Sequence, residues 1–247
     1  MRHCHKWEEL LPEEFYEEFA RAPIAYWGCG GMEDHGLHNA LGADPYVAYD
    51  LCLRTADIAG GIVFPPVPFA LAGIPGLSRE ELRSREPYAY PPSLWVSREV
   101  CEQLYLELLE SLADLGFRAC LAVGGHYPAA LLLQELCERT GGRIGEMRLW
   151  GGWPRDERVP ELQIEPIADG HGLTWETSLV AAVRDDWVEV SCASRTAESP
   201  YVSQVQAASP EAISHISDAS AAAGERWLGA AAQYLAARAR ELANLPE

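Results

Sequence analysis

The chain has 247 residues, 48% of them hydrophobic, and a formal charge of −18 at neutral pH. That length can bury a full core and suits one large α/β domain or two small ones. The acidic balance argues against a phosphate-backbone partner, which needs a basic footprint, and no uninterrupted apolar run is long enough to cross a bilayer.

The polar start, Met1-Arg2-His3-Cys4-His5-Lys6, reads as a frayed tail rather than a signal peptide. Glu8 to Ala20 has the spacing of an amphipathic helix. Pro23 to Trp27 is a short buried strand that runs into the turn Gly28-Cys29-Gly30-Gly31. Asp44 to Ala59 repeats apolar residues at helical spacing, with Pro45 in the first turn, where its missing N–H costs nothing. Ile62-Val63-Phe64 is a brief β-type run cut off by prolines. Residues 71–95 are rich in Pro, Gly, Tyr and Arg and too long for a plain connection, so they predict an active-site loop or lid with a short helix at Arg79 to Ser84. Ser97 to Leu115 is a strong helix with Ser97 as its cap. Arg118 to Val123 is a second buried strand. Ala129 to Thr140 is a helix ending at Gly141-Gly142, and Arg143 to Leu149 is a third strand. Thr174 to Arg184 is helical with Thr174 as its cap, Trp187 to Val190 extended, and Ala221 to Leu242 a long alanine-rich helix suited to packing against a neighbour.

Strands alternating with helices, without a repeat or linker, predict one domain over 1–247: a three-layer α/β/α sandwich around a mostly parallel sheet. The seven cysteines (Cys4, Cys29, Cys52, Cys101, Cys120, Cys137 and Cys192) form no Cys-x-x-Cys pair. Their odd count points to a reducing compartment, so a cytoplasmic location is expected.

Three segments carry chemistry. The first is Glu33-Asp34-His35-Gly36-Leu37-His38 with Asp44 close behind, on glycine-rich chain where a core strand should end. Carboxylates and imidazoles crowded in this way need an organiser, and a divalent cation is the commonest one. The second is Gly124-Gly125-His126-Tyr127-Pro128, directly after a strand, where open α/β sheets collect their ligands. The third is Asp169-Gly170-His171-Gly172-Leu173-Thr174-Trp175-Glu176. Glu176 falls in a first helical turn, where the dipole favours a carboxylate, and glycine-flanked His171 can carry protons near neutral pH. Cys29 beside these histidines is a conceivable nucleophile, opposed by nearby carboxylates that raise a thiol pKa.

Together the segments resemble the creatininase family of metal-dependent amidohydrolases. Gly30, Glu33, His35, Gly36, His38 and Asp44 are in the register of its opening motif. Gly116-Phe117-Arg118 runs into Gly125-His126-Tyr127 as in its second. His171, Gly172, Glu176, Thr177 and Ser178 match its third. The resemblance implies one or two divalent ions, zinc or manganese, and hydrolysis of a cyclic or linear amide C–N bond of a small molecule. It implies Glu33 and His126 on one ion, His35 on the other, Asp44 bridging them, and His171 protonating the leaving nitrogen. His38, Tyr127 and Trp175 would orient ligands or touch substrate, and a homo-oligomer, often a hexamer, is the family habit. The chain departs from the pattern at three points. Pro128 replaces a metal-binding glutamate, so the second site is expected to be weak, absent or completed by Glu176. The Tyr88-to-Leu94 segment lacks the histidine that the family carries there. Ile167 stands where creatininase has a tryptophan. These departures point away from creatinine as substrate. A non-catalytic metal- or ligand-binding relative, or a maturation peptidase for a modified peptide, are the alternatives.

Overall fold

The computed structural model describes residues 4–72, 79–84, 93–156, 159–166, 168–198 and 209–245. The first helix, α1 (Pro12–Arg21), begins only after a separate 3-10 turn at Trp7–Glu9. The expected continuous helix is broken because Leu11, preceding Pro12, is held extended. Strand β1 (Ile24–Cys29) is buried along its whole length. Helix α2 (Ala43–Ala59) follows, then β2 (Ile62–Val67), the short α3 (Arg79–Ser84) and α4 (Arg98–Asp114). Ser97 caps α4 as expected, its hydroxyl accepting the Val100 N–H at 3.3 Å. Strand β3 (Ala119–Gly124) leads into α5 (Tyr127–Arg139). The expected third strand is a hairpin instead: β4 (Arg143–Ile144) turns at Gly145, φ +56°, into β5 (Met147–Gly152). Helices α6 (Thr174–Val183), α7 (Pro210–Ser214) and α8 (Ala221–Ala243) complete the set.

One five-stranded sheet has the order β2-β1-β3-β5-β4, parallel except for the β4–β5 pair. Alternation along its strands divides the core. Ile24, Tyr26, Ala119, Leu121 and Val123 face one layer with residues of α2, α6 and α8. Ala25, Trp27, Cys120 and Ala122 face the other with residues of α4 and α5. A central strand covered on both faces must be apolar throughout, which is what the Ile24 and Ala119 runs supply. Trp27 and Tyr26 are among the largest fully buried side chains, each contributing about 2–3 kcal/mol by burial. The architecture is the expected α/β sandwich.

Beyond the hairpin and the broken first helix, several local expectations are corrected. β2 continues through Pro65 and Pro66 because it lies at a sheet edge, where a missing N–H is tolerated. Met1 to His3 lie outside the described residues, and from Cys4 on the N-terminal segment is not a loose tail. His5 is buried, one ring nitrogen 2.8 Å from the Gly61 carbonyl, and its own carbonyl accepts the Val63 N–H. Of the expected extended stretch Trp187 to Val190, Val188 is extended and bridges Asn39, while Trp187 and Val190 belong to 3-10 turns. Residues 73–78 and 85–92 of the expected lid, and Ile167, lie outside the described residues, while Arg79–Ser84 is the helix anticipated. Among the described residues no helix is long and apolar enough to cross a membrane.

The topology fixes where a ligand can sit. From β1 the chain goes to β2 on one side, and from β3 to β5 on the other, so a crevice opens between the carboxyl ends of β1 and β3. The start of α2 is pressed into that crevice. A Cβ on Gly125 would stand 2.2 Å from the Asp44 carbonyl oxygen, and one on Gly30 would stand 2.6 Å from the Asp44 Cβ. Only glycine at both positions lets Asp44 approach both strand ends.

Candidate metal centre and active site

Six of the side chains singled out in the sequence converge on this crevice. Glu33, His35, Asp44 and His126 are buried, Glu33 completely. His171 and Glu176 are about one-quarter exposed. His126 Nδ1 lies 2.6 Å from Glu33 Oε1 and 3.1 Å from Asp44 Oδ2. His35 Nε2 lies 2.9 Å from Asp44 Oδ1 and 3.7 Å from Glu176 Oε2. His171 Nδ1 is 3.9 Å from Glu33 Oε1, and its ring stacks on His35 with centroids 4.3 Å apart. Two groups have donor atoms close enough to share an ion: Glu33 with Asp44 and His126, and Glu33 with His35 and His171. Glu33 is common to both groups, and Asp44 reaches His126 with one oxygen and His35 with the other.

The donor set fits divalent cations on a separate ground. Three histidines each turn one ring nitrogen to a backbone carbonyl: His126 Nε2 to Leu71 at 2.9 Å, His171 Nε2 to Asp34 at 2.5 Å, and His35 Nδ1 to Glu33 at 3.3 Å. A carbonyl only accepts, so a proton sits on that nitrogen and the ring's other nitrogen faces the carboxylates. Metal-binding imidazoles are oriented in this way. His35 Nε2 and Asp44 Oδ2 are buried without an aligned hydrogen bond, the condition in which donors wait on a cation. Mixed oxygen and nitrogen donors suit zinc or manganese better than calcium or magnesium.

Electrostatics agree. Burial alone would lower the His126 pKa, but the carboxylates of Glu33 and Asp44 raise it to about 10. His35 is likewise opposed by burial and lifted well above its ordinary value, chiefly by Asp44. Burial opposes ionisation of Asp44, yet His35 and His126 hold its carboxyl far below the usual range. Burial raises Glu176, with His35 and His171 pulling the other way. Without a cation, protons serve as the site's counter-charge.

The remaining candidates flank the centre. His38 is buried, with Nε2 2.8 Å from the Gly172 carbonyl, so it braces the loop between His171 and Glu176. Glu176 accepts the Gly172 N–H at 2.6 Å. Thr174 is not the cap of α6. Its hydroxyl donates to the His215 carbonyl, and Leu173 occupies the cap position. Tyr127 is exposed and opens α5, with buried Pro128 in the same first turn. Cys29 is fully buried on the far face of the sheet, its thiol pushed up to about 12 by burial, which removes the cysteine-nucleophile option.

A cavity of about 360 Å³ lies over the centre, lined by Glu33, Asp44, His126, His171, Glu176 and the Arg155–Asp169 pair among others. A second, of about 230 Å³, adjoins it and is walled by Trp153 and Trp175. These two tryptophans pack with Trp227, while Trp150 only packs against the core. Sequence reasoning missed Arg155 and Trp95. Trp95 stacks on His126 with centroids 5.5 Å apart. Neither sits in a motif. The faint signal for Arg155 was a cation close to tryptophans in an acidic chain.

Fold and site together define an α/β/α protein with paired acid–imidazole donor groups at a sheet switch point. The family model described as Creatininase, creatinine amidohydrolase, matches residues 8–239. The chain belongs to the creatininase family, and its fold is that of the family's metal-dependent amidohydrolases. Among solved structures, a creatinine amidohydrolase (creatininase) is 20% identical with TM-score 0.71, each chain covered 100%. A structure titled Creatininase Mn is 21% identical with TM-score 0.71, covering 99% of this chain and 100% of that one. A putative creatinine amidohydrolase from Bacteroides fragilis NCTC 9343 is 18% identical with TM-score 0.70, covering 100% and 99%. Another similar structure is titled a Zn-Zn type. No curated protein matches significantly.

Proposed function

We propose that the chain is a metal-dependent amidohydrolase that cleaves a C–N bond of a small amide other than creatinine. The observation that carries the reading is the meeting of two three-residue donor groups on the shared carboxylate of Glu33, beneath a cavity of small-molecule size. Glu33, Asp44 and His126 would hold one zinc or manganese ion, and Glu33 and His35 a second, which leaves His171 Nδ1 to carry a proton. Bound cations would acidify water and polarise an amide carbonyl. Asp44 ties the groups together. Glu176, raised in pKa by burial and lining the cavity, takes a proton from the attacking water. His171 returns a proton from Nδ1 to the leaving nitrogen. In the alternative assignment Glu176 ligates through the carboxylate that stands 3.7 Å from His35. His38 holds the His171–Glu176 loop, Tyr127 and Trp175 border the substrate space, and the assembly is a cytoplasmic homo-oligomer.

Metal-free protein given Zn²⁺ or Mn²⁺ should hydrolyse members of a panel of cyclic, formyl and primary amides, and chelator should abolish that activity. No metal-stimulated turnover across the panel would remove the reading. One observation favours a non-catalytic metal-binding relative: Pro128 lines the cavity where a carboxylate would otherwise stand. Tight metal with no turnover would select it. Turnover confined to peptide ends would select the maturation peptidase.

A further inference from the structure

Arg155 lies at the junction of the two cavities and lines both, and among the described residues no other lysine or arginine lines either. Its Nη1 and Nη2 donate end-on to Asp169 at 3.1 and 2.9 Å. Its guanidinium carbon stands 5.5 Å from the centroid of the Trp175 ring. Asp169 and Trp175 thus hold the group from one edge and one face. A guanidinium has five N–H donors in a rigid fork. Two are used, and the Nε side of the fork has no acceptor among the described residues.

A tie between two loops does not explain this arrangement. Arg155 is 53% exposed and Asp169 36%, and an ion pair so open to water adds little stability. A permanent cation beside groups that gather divalent ions also works against them. It is compensated when something anionic arrives with the substrate. Planar side-on pairing with a carboxylate is the geometry that an arginine fork fits best.

We infer that Arg155 is a specificity-determining residue that docks a carboxylate on the amide substrate, with the scissile bond lying toward Glu33 and His171. This rests on the amidohydrolase reading above, but binding tests it separately from turnover. The probes are succinamate, which carries both an amide and a carboxylate, and its neutral counterpart butyramide. Each is titrated by calorimetry and by quenching of tryptophan fluorescence into metal-loaded protein. Wild-type protein should bind succinamate roughly tenfold or more tighter than butyramide, as one charge-assisted bidentate contact allows. Arg155→Ala should bring that ratio near one. Arg155→Lys, which keeps the charge and loses the fork, should fall between, and its folding guards against a merely collapsed site. In any hydrolysed pair, the loss in Arg155→Ala should appear in KM more than in kcat.

Equal binding of the two probes, no measurable succinamate binding, or an Arg155→Ala protein that keeps the preference would overturn the assignment. Arg155-dependent binding of inorganic phosphate in preference to succinamate would overturn the carboxylate. A preserved charge preference with no metal-stimulated hydrolysis would sink the amidohydrolase reading and leave this one standing.

Discussion

Glu33 carries more of the centre than any other side chain, since both donor groups need its carboxylate. Glu33→Gln keeps the shape and removes the charge. Even partners that merely orient a ligand alter metal affinity by about 10–100-fold, so this substitution should weaken metal binding by more than about 100-fold. Metal analysis after dialysis checks this, and a variant that retains two ions would refute the shared role. At this scale much of the site was legible. Glu33, His35, Asp44, His126, His171 and Glu176 could all be picked out, because acids and imidazoles next to glycines at strand ends have few structural reasons to be there. Arg155 and Trp95 were not, because their meaning lies in contacts between loops that carry no periodicity.

Elements place those residues, and glycine decides how closely elements approach. Gly125→Ala puts a methyl 2.2 Å from the Asp44 carbonyl oxygen, so α2 must retreat from the strand ends. Gly224→Ala is equally crowded, 2.0 Å from the Ser178 carbonyl oxygen, but there α8 crosses α6, which carries no member of the Glu33, Asp44 and His126 group. Overpacking of this kind costs about 1–3 kcal/mol or more. Both variants should therefore melt early. Only Gly125→Ala should also lose metal affinity, since only it moves Asp44. Calorimetric melting paired with metal titration separates the two, and equal metal loss in both would deny α2 its positioning role. Most elements were readable from period and cap, as with Ser97 before α4. The failures have physical causes. A turn at Gly145 hid inside the expected third strand, Pro12 split one helix, and the short α7 is too brief to show a period.

For the whole molecule, metal and protons compete for one crowded centre. In the metal-free protein His126 has a pKa of about 10, above the ~6.5 of an unfolded histidine. Its protonation stabilises the metal-free fold fully below that unfolded value, and the contribution is lost as pH rises through about 10. Asp44 works in reverse: its depressed pKa stabilises the fold above the unfolded carboxylate value, and that is lost as pH falls. Near neutrality a cation must therefore evict the His126 proton, and the raised His35 adds a second. Apparent metal affinity should climb about tenfold or more per pH unit between 6 and 9. Calorimetry in buffers of different ionisation enthalpy would count the released protons, and a pH-independent affinity with none released would contradict this picture.

The three imidazoles lean on peptide oxygens, those of residues 33, 34 and 71. Every amino acid brings such an oxygen, so no mutation of a neighbouring side chain deletes the prop; only a bend in the main chain can. Selection is thereby freed to rewrite the surroundings while the rings stay aimed. A lineage built this way can drift to one-fifth identity and exchange its substrates without first dismantling the machinery that grips the ion.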